Sequence, residues 1–524
     1  MRTDITPAYL FDPALGPRSH LIARWLFLRG LGAVYFSAFF ALIFQVRGLI
    51  GSRGILPAAA YLRSLAGPAW LRLWYVPSLL WFWHSDRFLM GLCWVGLAGS
   101  VLLIFNLWPR AMLLACFVCF LSFVAAAQEF SGYQSDGMLL EAGFLAIFLA
   151  PAGLLPGWGA KSPGVRAARL LLIWEWFRIY FQSGLVKLES GDPTWRDLTA
   201  LYEYYQNGPL PTWIGWYLQH LPNWFHIVAA GLTLIMELVL VWMAFLPRRW
   251  KIICFILVTI WQAVVIATAN YAFLNYLVLL LAVLLLDDRA LLRFVSARLR
   301  NAITSADDLQ EEPVHRMKSH ATRTAGIGII MIWIFYATTV PVLEMTLRLP
   351  PLPPEPVTAL EPLRIANRYG LFAVMTPHRY EIEFQGSNNG ANWTPYPFRY
   401  KPQAVNQRPR IYAPYQPRLD WNLWFASLGP WQENPMVPRT EQLLLQNDAD
   451  VLGLFAGNPF PNEPPRFIRA VLWQYWFSSR EEKRTQGVWW RRQLLGTYAP
   501  TLARMPDGSI EQVAPPTLER PPAP

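Results

Sequence analysis

The chain has 524 residues, 54% of them hydrophobic and 15% charged, and a formal net charge of +11. A soluble domain carries about 25% charged residues, so this chain cannot cover a water-facing surface of ordinary polarity, and its excess apolar surface must face lipid. The positive charge does not indicate nucleic acid, because no basic stripe with interleaved aromatics stands apart from the loops where a membrane protein keeps its Lys and Arg.

The first 20 residues are polar and contain proline, and the apolar run behind them lacks a small-x-small cleavage site. They are expected to precede an uncleaved first span, not to form a signal peptide. A membrane helix needs about 20 mostly apolar residues. Nine stretches are candidates: 21–44, 88–107, 111–127, 138–155, 170–185, 224–246, 252–269, 271–286 and 325–343. The loops at one end are basic: Arg2, Arg18 and Arg24; Arg110; Lys161, Arg166 and Arg169; Arg248, Arg249 and Lys251; then Arg289, Arg293, Arg298, Arg300, Arg316, Lys318 and Arg323. That bias predicts a cytoplasmic N-terminus and an extracytoplasmic C-terminus. The loop 46–87 dissents, with Arg47, Arg53, Arg63, Arg72 and Arg87 beside an aromatic run at 74–83. It is expected to be an interfacial or re-entrant segment.

Residues 1–349 thus read as a transmembrane helical domain. The stretch PPLPPEP opens a stiff Pro-rich linker at 350–358. An extracytoplasmic, mostly β, sandwich-like domain is expected over 359–502, and a disordered Pro-rich tail over 503–524. Within the domain, 379–384 alternates like a half-buried strand, and 393–400 would return as an edge strand, demoted by Pro395 and Pro397. A further strand is expected at 470–477, with helices at 419–428 and 443–454. Its aromatic residues either build the core or present a surface to other proteins.

The four cysteines all lie in apolar runs, so Cys116 and Cys119 read as packing rather than redox or zinc chemistry. Scattered histidines give no metal spacing; His220 and His226 read as interfacial. No GxSxG, Walker A, GxGxxG or HExxH motif occurs, so no catalytic residue, metal or cofactor is assigned. Ionisable groups inside the spans are costly and need partners or a wet cavity. Glu141, Glu175, Arg178, Lys187 and Glu237 are such groups. Glu175 and Arg178, at i,i+3, are expected to pair on one helix face. Glu141 and Lys187 point instead to a polar cavity in the outer half of the bundle. Lys187 would lie at its mouth, beneath an acidic loop with Glu189, Asp192, Asp197 and Glu203.

Several stretches together resemble the lipase maturation factor family. They are LIGSRGILP from Leu49, LLEAGFLAIFLAP from Leu139, Phe177-Arg178, GLVKL from Gly184, WRDL from Trp195, NWFH from Asn223 and NYAFLNY from Asn270. In the C-terminal part they are Arg418-Leu-Asp420-Trp421, Asn458-Pro-Phe460 and Trp489-Trp490. The resemblance implies a membrane protein that helps exported clients such as lipases to fold, with its C-terminal domain in the lumen or its topological equivalent. The candidate polar cavity is expected to comprise Glu141, Arg178, Lys187, Trp195, Arg196 and Asp197, and the outer-domain motif Arg418, Asp420, Trp421, Asn458, Trp489 and Trp490. The outer part has no cysteine and the chain ends Pro-Pro-Ala-Pro without a retention signal, as a bacterial-type member would. GLVKL followed by an acidic residue and a Trp also resembles vitamin K-dependent gamma-carboxylase. That alternative implies an intramembrane enzyme with Lys187 as base, Glu141 or Arg178 organising the site, and a lipid or quinone-like ligand. Membrane lipids are expected partners under either reading.

Overall fold

Long apolar runs separated by Gly, Pro and short polar turns organise the N-terminal part, and each becomes a helix. The computed structural model describes residues 7–13, 18–294, 321–347 and 352–518. Among these, the bundle helices are α1 (Leu21–Ile43), α2 (Asp86–Ile104), α3 (Pro109–Ala126), α4 (Gln134–Leu149), α5 (Arg166–Glu189), α6 (Asn223–Leu238), α7 (Arg248–Thr268), α8 (Leu274–Ala282) and α9 (Ala321–Leu347). Six are long and apolar enough to cross a membrane: α1, α2, α3, α6 with its 3-10 extension to Phe245, α7 and α9. The first helix buries 67% of its apolar window against 28% and 22% for α6 and α7, which places α1 in the centre and the latter two at the periphery. Helix contacts are close where side chains are small. A Cβ on Gly143 would sit 2.0 Å from the Tyr35 hydroxyl.

The helices alternate between two ends. At one end Arg24 donates to the carbonyls of Ser162 and Trp158, Asn106 to Gly157, and Arg169 to Leu284. Arg248 pairs with Asp287 there at 2.5 Å. Arg2, Arg298, Arg300, Arg316 and Lys318, counted with this end in the sequence, lie outside the described residues. The other end joins the C-terminal domain.

That domain is built on one antiparallel sheet: β1 (Arg379–Ser387), β2 (Thr394–Pro395), β3 (Phe467–Phe477), β4 (Trp490–Thr497), β5 (Thr501–Arg504) and β6 (Ile510–Ala514). The order is β2-β1-β3-β5-β6, with β4 also on β3. The central β1–β3 ladder runs from Arg379 opposite Tyr475 to Ser387 opposite Phe467. A sandwich does not form among the described residues. Instead α10 (Arg418–Leu428) packs on β1, and α11 (Met436–Leu445) on β3 and β5. Helices therefore supply the apolar cover that a second sheet would.

Three further expectations are corrected. The return strand over 393–400 survives only as β2, since Pro395 and Pro397 have no N–H to give the ladder. The helix expected over 443–454 is split. Asn447 takes a φ of +55°, and Asp448 caps a separate turn at Ala449–Leu452. The chain beyond 502 is ordered sheet: Asp507-Gly508 turns β5 into β6, and Thr517 bonds back to Thr497. Only 519–524 of the expected disordered tail lie outside the described residues.

The Pro-rich linker does not hold the two parts at a distance. Pro353 accepts a hydrogen bond from Tyr336 and Pro356 one from Trp333, so the chain folds back along α9; Pro350 and Pro351 lie outside the described residues. The two parts then share a polar seam. Arg418, 1% exposed, makes two bonds to Asp136, 0% exposed, and one to the Phe130 carbonyl. Arg379 reaches the carbonyls of Gln206, Gly208 and Pro209. Asn270 donates to Arg410 and accepts from the amides of Tyr412 and Ala413. Arg47 pairs with Asp450 at 3.0 Å and Arg53 with Asp448 at 3.5 Å. Two of the five arginines that broke the loop-charge pattern, Arg47 and Arg53, thus answer aspartates of the C-terminal domain. Gly48 permits that approach, since a Cβ there would lie 2.4 Å from the Asp450 carbonyl oxygen.

Removing one member of a buried ion pair strands the other. Asp136→Ala is expected to cost about 3–5 kcal/mol, read as a lowered unfolding transition of the detergent-solubilised protein. A variant as stable as the parent would contradict a buried Arg418–Asp136 pair across the seam.

Candidate functional site

Glu141 on α4 and Arg178 on α5 meet directly, 1% and 0% exposed at their side chains. Residues 364–376 close over them. Asn367 donates from its main-chain and side-chain nitrogens to Glu141, each at 3.1 Å, and its carbonyl accepts from Arg178 at 2.7 Å. The Tyr369 hydroxyl donates to Glu141 at 2.9 Å. Its amide donates to Gln182, and the next two amides donate to Gln134 and Ser183. Gly137 leaves the space: a Cβ there would stand 2.8 Å from the Asn367 side-chain oxygen.

Lys187 sits at the C-terminal end of α5. Its ammonium lies 2.8 Å from Glu237 of α6 and donates to the Leu371 carbonyl at 2.9 Å. It also lies over the Trp195 ring, whose indole N–H bonds the Phe372 carbonyl. A lysine serves as a base only when neutral and accessible. Here its donors are committed to a carboxylate and main-chain carbonyls, which does not fit the role of base. The polar groups meet as neutralised pairs rather than around a cavity mouth. The pairing expected between Glu175 and Arg178 is also replaced, since Arg178 turns to Glu141. Glu175 is left with a long contact of 3.5 Å from the Tyr369 hydroxyl. Arg196 and Asp197 are exposed and stay local: Arg196 bonds the Leu188 carbonyl, and Asp197 caps Thr199. The acidic loop is anchored by Asp192, which accepts from the Met375 amide at 2.7 Å, so its carboxyl is held below its ordinary range by that bond and those from Thr194.

The C-terminal motif residues divide between seam and core. Arg418 belongs to the seam. Asp420 accepts from the amides of Tyr400 and Lys401. Trp421 packs at a tilt against Tyr133 of the bundle end, ring centres 5.2 Å apart. Asn458 shapes a turn with Asn447 and Phe460. Trp489 stands against Trp216 and beneath Lys483. Trp490 is buried beside Arg379. Asn367, Tyr369 and the Leu371 carbonyl make buried contacts to these groups that the sequence did not reveal. No periodicity marks them; only the isolated polar residues and Gly370 between linker and strand set the stretch apart.

Two family models match the chain: the lipase maturation factor transmembrane domain over residues 22–293 and the lipase maturation factor C-terminal domain over residues 365–500. Lipase maturation factor 1 of Bos taurus is 33% identical, covering 92% of this chain and 89% of the relative. Lipase maturation factor 2 of Homo sapiens is 32% identical, covering 92% of this chain and 83% of the relative. The chain belongs to the lipase maturation factor family. No solved structure matches. The family boundary gives the geometry a sharper reading. Asn367 and Tyr369 fall within the matched C-terminal domain, yet their bonds go to Glu141 and Gln182 of the transmembrane domain. The C-terminal family domain therefore begins inside the bundle.

Two measurements follow from these contacts. Lys187→Met alone leaves Glu237 buried and unpaired, and is expected to destabilise by about 3–5 kcal/mol. Lys187→Met with Glu237→Met should restore both membrane level and client maturation. Restored level without maturation would instead mean that the ammonium has a chemical role. Burial raises the Asp420 carboxyl from 3.8 to about 6, against the lowering effect of Lys401 and the amides. Between those values the folded chain keeps a proton that the unfolded chain releases. The group's contribution is full below about pH 4 and is lost as pH rises through about 6. Melting temperatures across this range should show the parent losing stability relative to Asp420→Asn as pH rises; parallel curves would contradict it.

Proposed function

We propose that this protein is a membrane-embedded maturation factor that assists exported lipases to reach their active fold. The observation that carries this reading is the match to both family domains and to relatives named for lipase maturation along nine-tenths of the chain. The protein would act by holding a client, not by chemistry on it. The carboxylase reading is not favoured, because Lys187 is tied to Glu237 and Leu371.

We further infer nine crossings, with α4, α5 and α8 added to the six longer apolar helices. Asp136, Glu141, Arg178 and Lys187 of α4 and α5 are paired with opposite charges, which makes their burial in a bundle tolerable. The N-terminus would be cytoplasmic and the C-terminal domain extracytoplasmic. The end away from that domain carries Arg110, Lys161, Arg249 and Lys251 among others, as cytoplasmic loops do. Of the five arginines at the opposite end, Arg47 and Arg53 are answered by Asp450 and Asp448, which supports this orientation. Helix Ala69–Tyr75 buries none of its residues, and Trp70, Tyr75, Phe82 and Trp83 are exposed. Such an aromatic surface suits the membrane interface.

Deleting the C-terminal domain is a poor test, since it would uncover Glu141, Arg178 and Lys187. A cleaner one expresses the intact chain in cells whose own lipase maturation factor has been removed. The specific activity of a secreted lipase should recover. Lipase secreted in unchanged, inactive form would overturn the reading.

A further inference from the structure

At the end of the bundle away from the C-terminal domain, a groove of about 440 Å³ runs between α5, α9, the short helix Pro7–Phe11 and the 3-10 stretch Leu240–Phe245. That volume lies within the range of about 300–1,000 Å³ common to ligand sites. Leu171, Trp174, Met331 and Phe335 help to wall it, and Lys251 is the one charged residue among its described lining. Leu170 and Ile332 along it are 49% and 59% exposed, so the groove opens sideways onto a surface that an apolar medium must cover.

Charge specifies the occupant. Lys251 stands in the first turn of α7, half-buried at the groove. No acid pairs with it among the described residues, and the charge that it faces is another cation, Arg169. Arg166 opens α5, one position before the wall residue Ala167, with its guanidinium over the Tyr9 ring at 4.0 Å. Asp287 and Asp288, acids of the same end, are engaged elsewhere: Asp287 pairs with Arg248, and Asp288 accepts the amides of Leu21 and Ile22. The cations therefore stand at the rim. The apolar trough runs beneath them, from Ala167 to Trp174, about 10 Å deeper along α5. Basic groups at the mouth of a pocket between membrane helices suit an anionic lipid headgroup, with its acyl chains below. A neutral lipid would leave the ammonium unanswered, and a free anion would leave the trough unfilled.

We propose that this groove holds an anionic glycerophospholipid of the leaflet on this side. Its phosphate lies against Lys251, and an acyl chain runs along Leu171, Trp174 and Phe335. The inference needs only the membrane bundle and stands apart from the maturation-factor reading.

The test titrates the full chain, purified in detergent, with phosphatidylglycerol and separately with phosphatidylcholine of the same acyl chains. Bound lipid is read by native mass spectrometry. One phosphatidylglycerol should bind ahead of any phosphatidylcholine. Lys251→Gln should weaken it about fivefold, as loss of one cation beside an anionic headgroup does. Lys251→Arg should keep it, and Arg249→Gln, which removes an exposed cation of the same end, should leave it unchanged. Leu170→Trp puts bulk at the mouth and should weaken binding with no change of charge. Lys251→Gln strands no acid, so its lipid-free unfolding transition should match the parent; should that variant not fold, Leu170→Trp and the comparison of the two lipids decide the matter. Equal affinity for both lipids overturns the proposal. So do equal losses in Lys251→Gln and Arg249→Gln, undiminished binding to Leu170→Trp, or displacement of the lipid by inorganic phosphate.

Discussion

A charge removed from water must be answered, and this constraint joins the two halves of the molecule. Arg178 is answered by Glu141, Lys187 by Glu237 and Arg418 by Asp136. In each case the cation also donates a hydrogen bond to a main-chain carbonyl from a distant part of the sequence: Asn367, Leu371 and Phe130 respectively. Two of these pairs lie wholly within the bundle, yet they are completed by the C-terminal family domain. The third reaches across the seam itself. Neither half could be withdrawn without leaving polar groups stranded in an apolar surrounding.

Buried ion pairs contribute little net stability compared with apolar packing, but they discriminate strongly between right and wrong arrangements. Here they select one docking of the sheet domain on the bundle. The close approach of Gly48 to Asp450 and of Gly137 to Asn367 narrows that choice further. The result is a firm platform at the bundle end, with the segment 371–376 held in place as part of it.

Much of the architecture could be read along the chain. Apolar runs are long where α1, α2, α3, α6, α7 and α9 form. The alternation at 379–384 is β1, and the helix expected over 419–428 is α10. The surplus arginines at 47 and 53 were a true signal whose meaning was local pairing with Asp450 and Asp448. Strand β4 was missed because its run, Trp490-Arg-Arg-Gln-Leu-Leu-Gly-Thr497, does not alternate. Strands β5 and β6 were missed because proline-rich composition around them outweighed the Asp507-Gly508 turn. The expected polar cavity became a set of closed pairs because Glu237 and 367–371 approach from elsewhere in the sequence.

What the amino-acid sequence determined by itself is the membrane habit, the helical bundle, the presence of a β-containing C-terminal part and the family. These rest on composition, period and motif order, which are local along the chain. What only the tertiary structure decided is that the Pro-rich stretch folds inward, that Asn367 and Tyr369 complete the Glu141–Arg178 pair, and that Lys187 is bound rather than free. Those outcomes depend on partners more than a hundred residues apart, such as Asn367 and Glu141, separated by 226 positions. No local pattern encodes a contact over that distance. It arises only when packing brings the two groups together and burial makes their pairing obligatory.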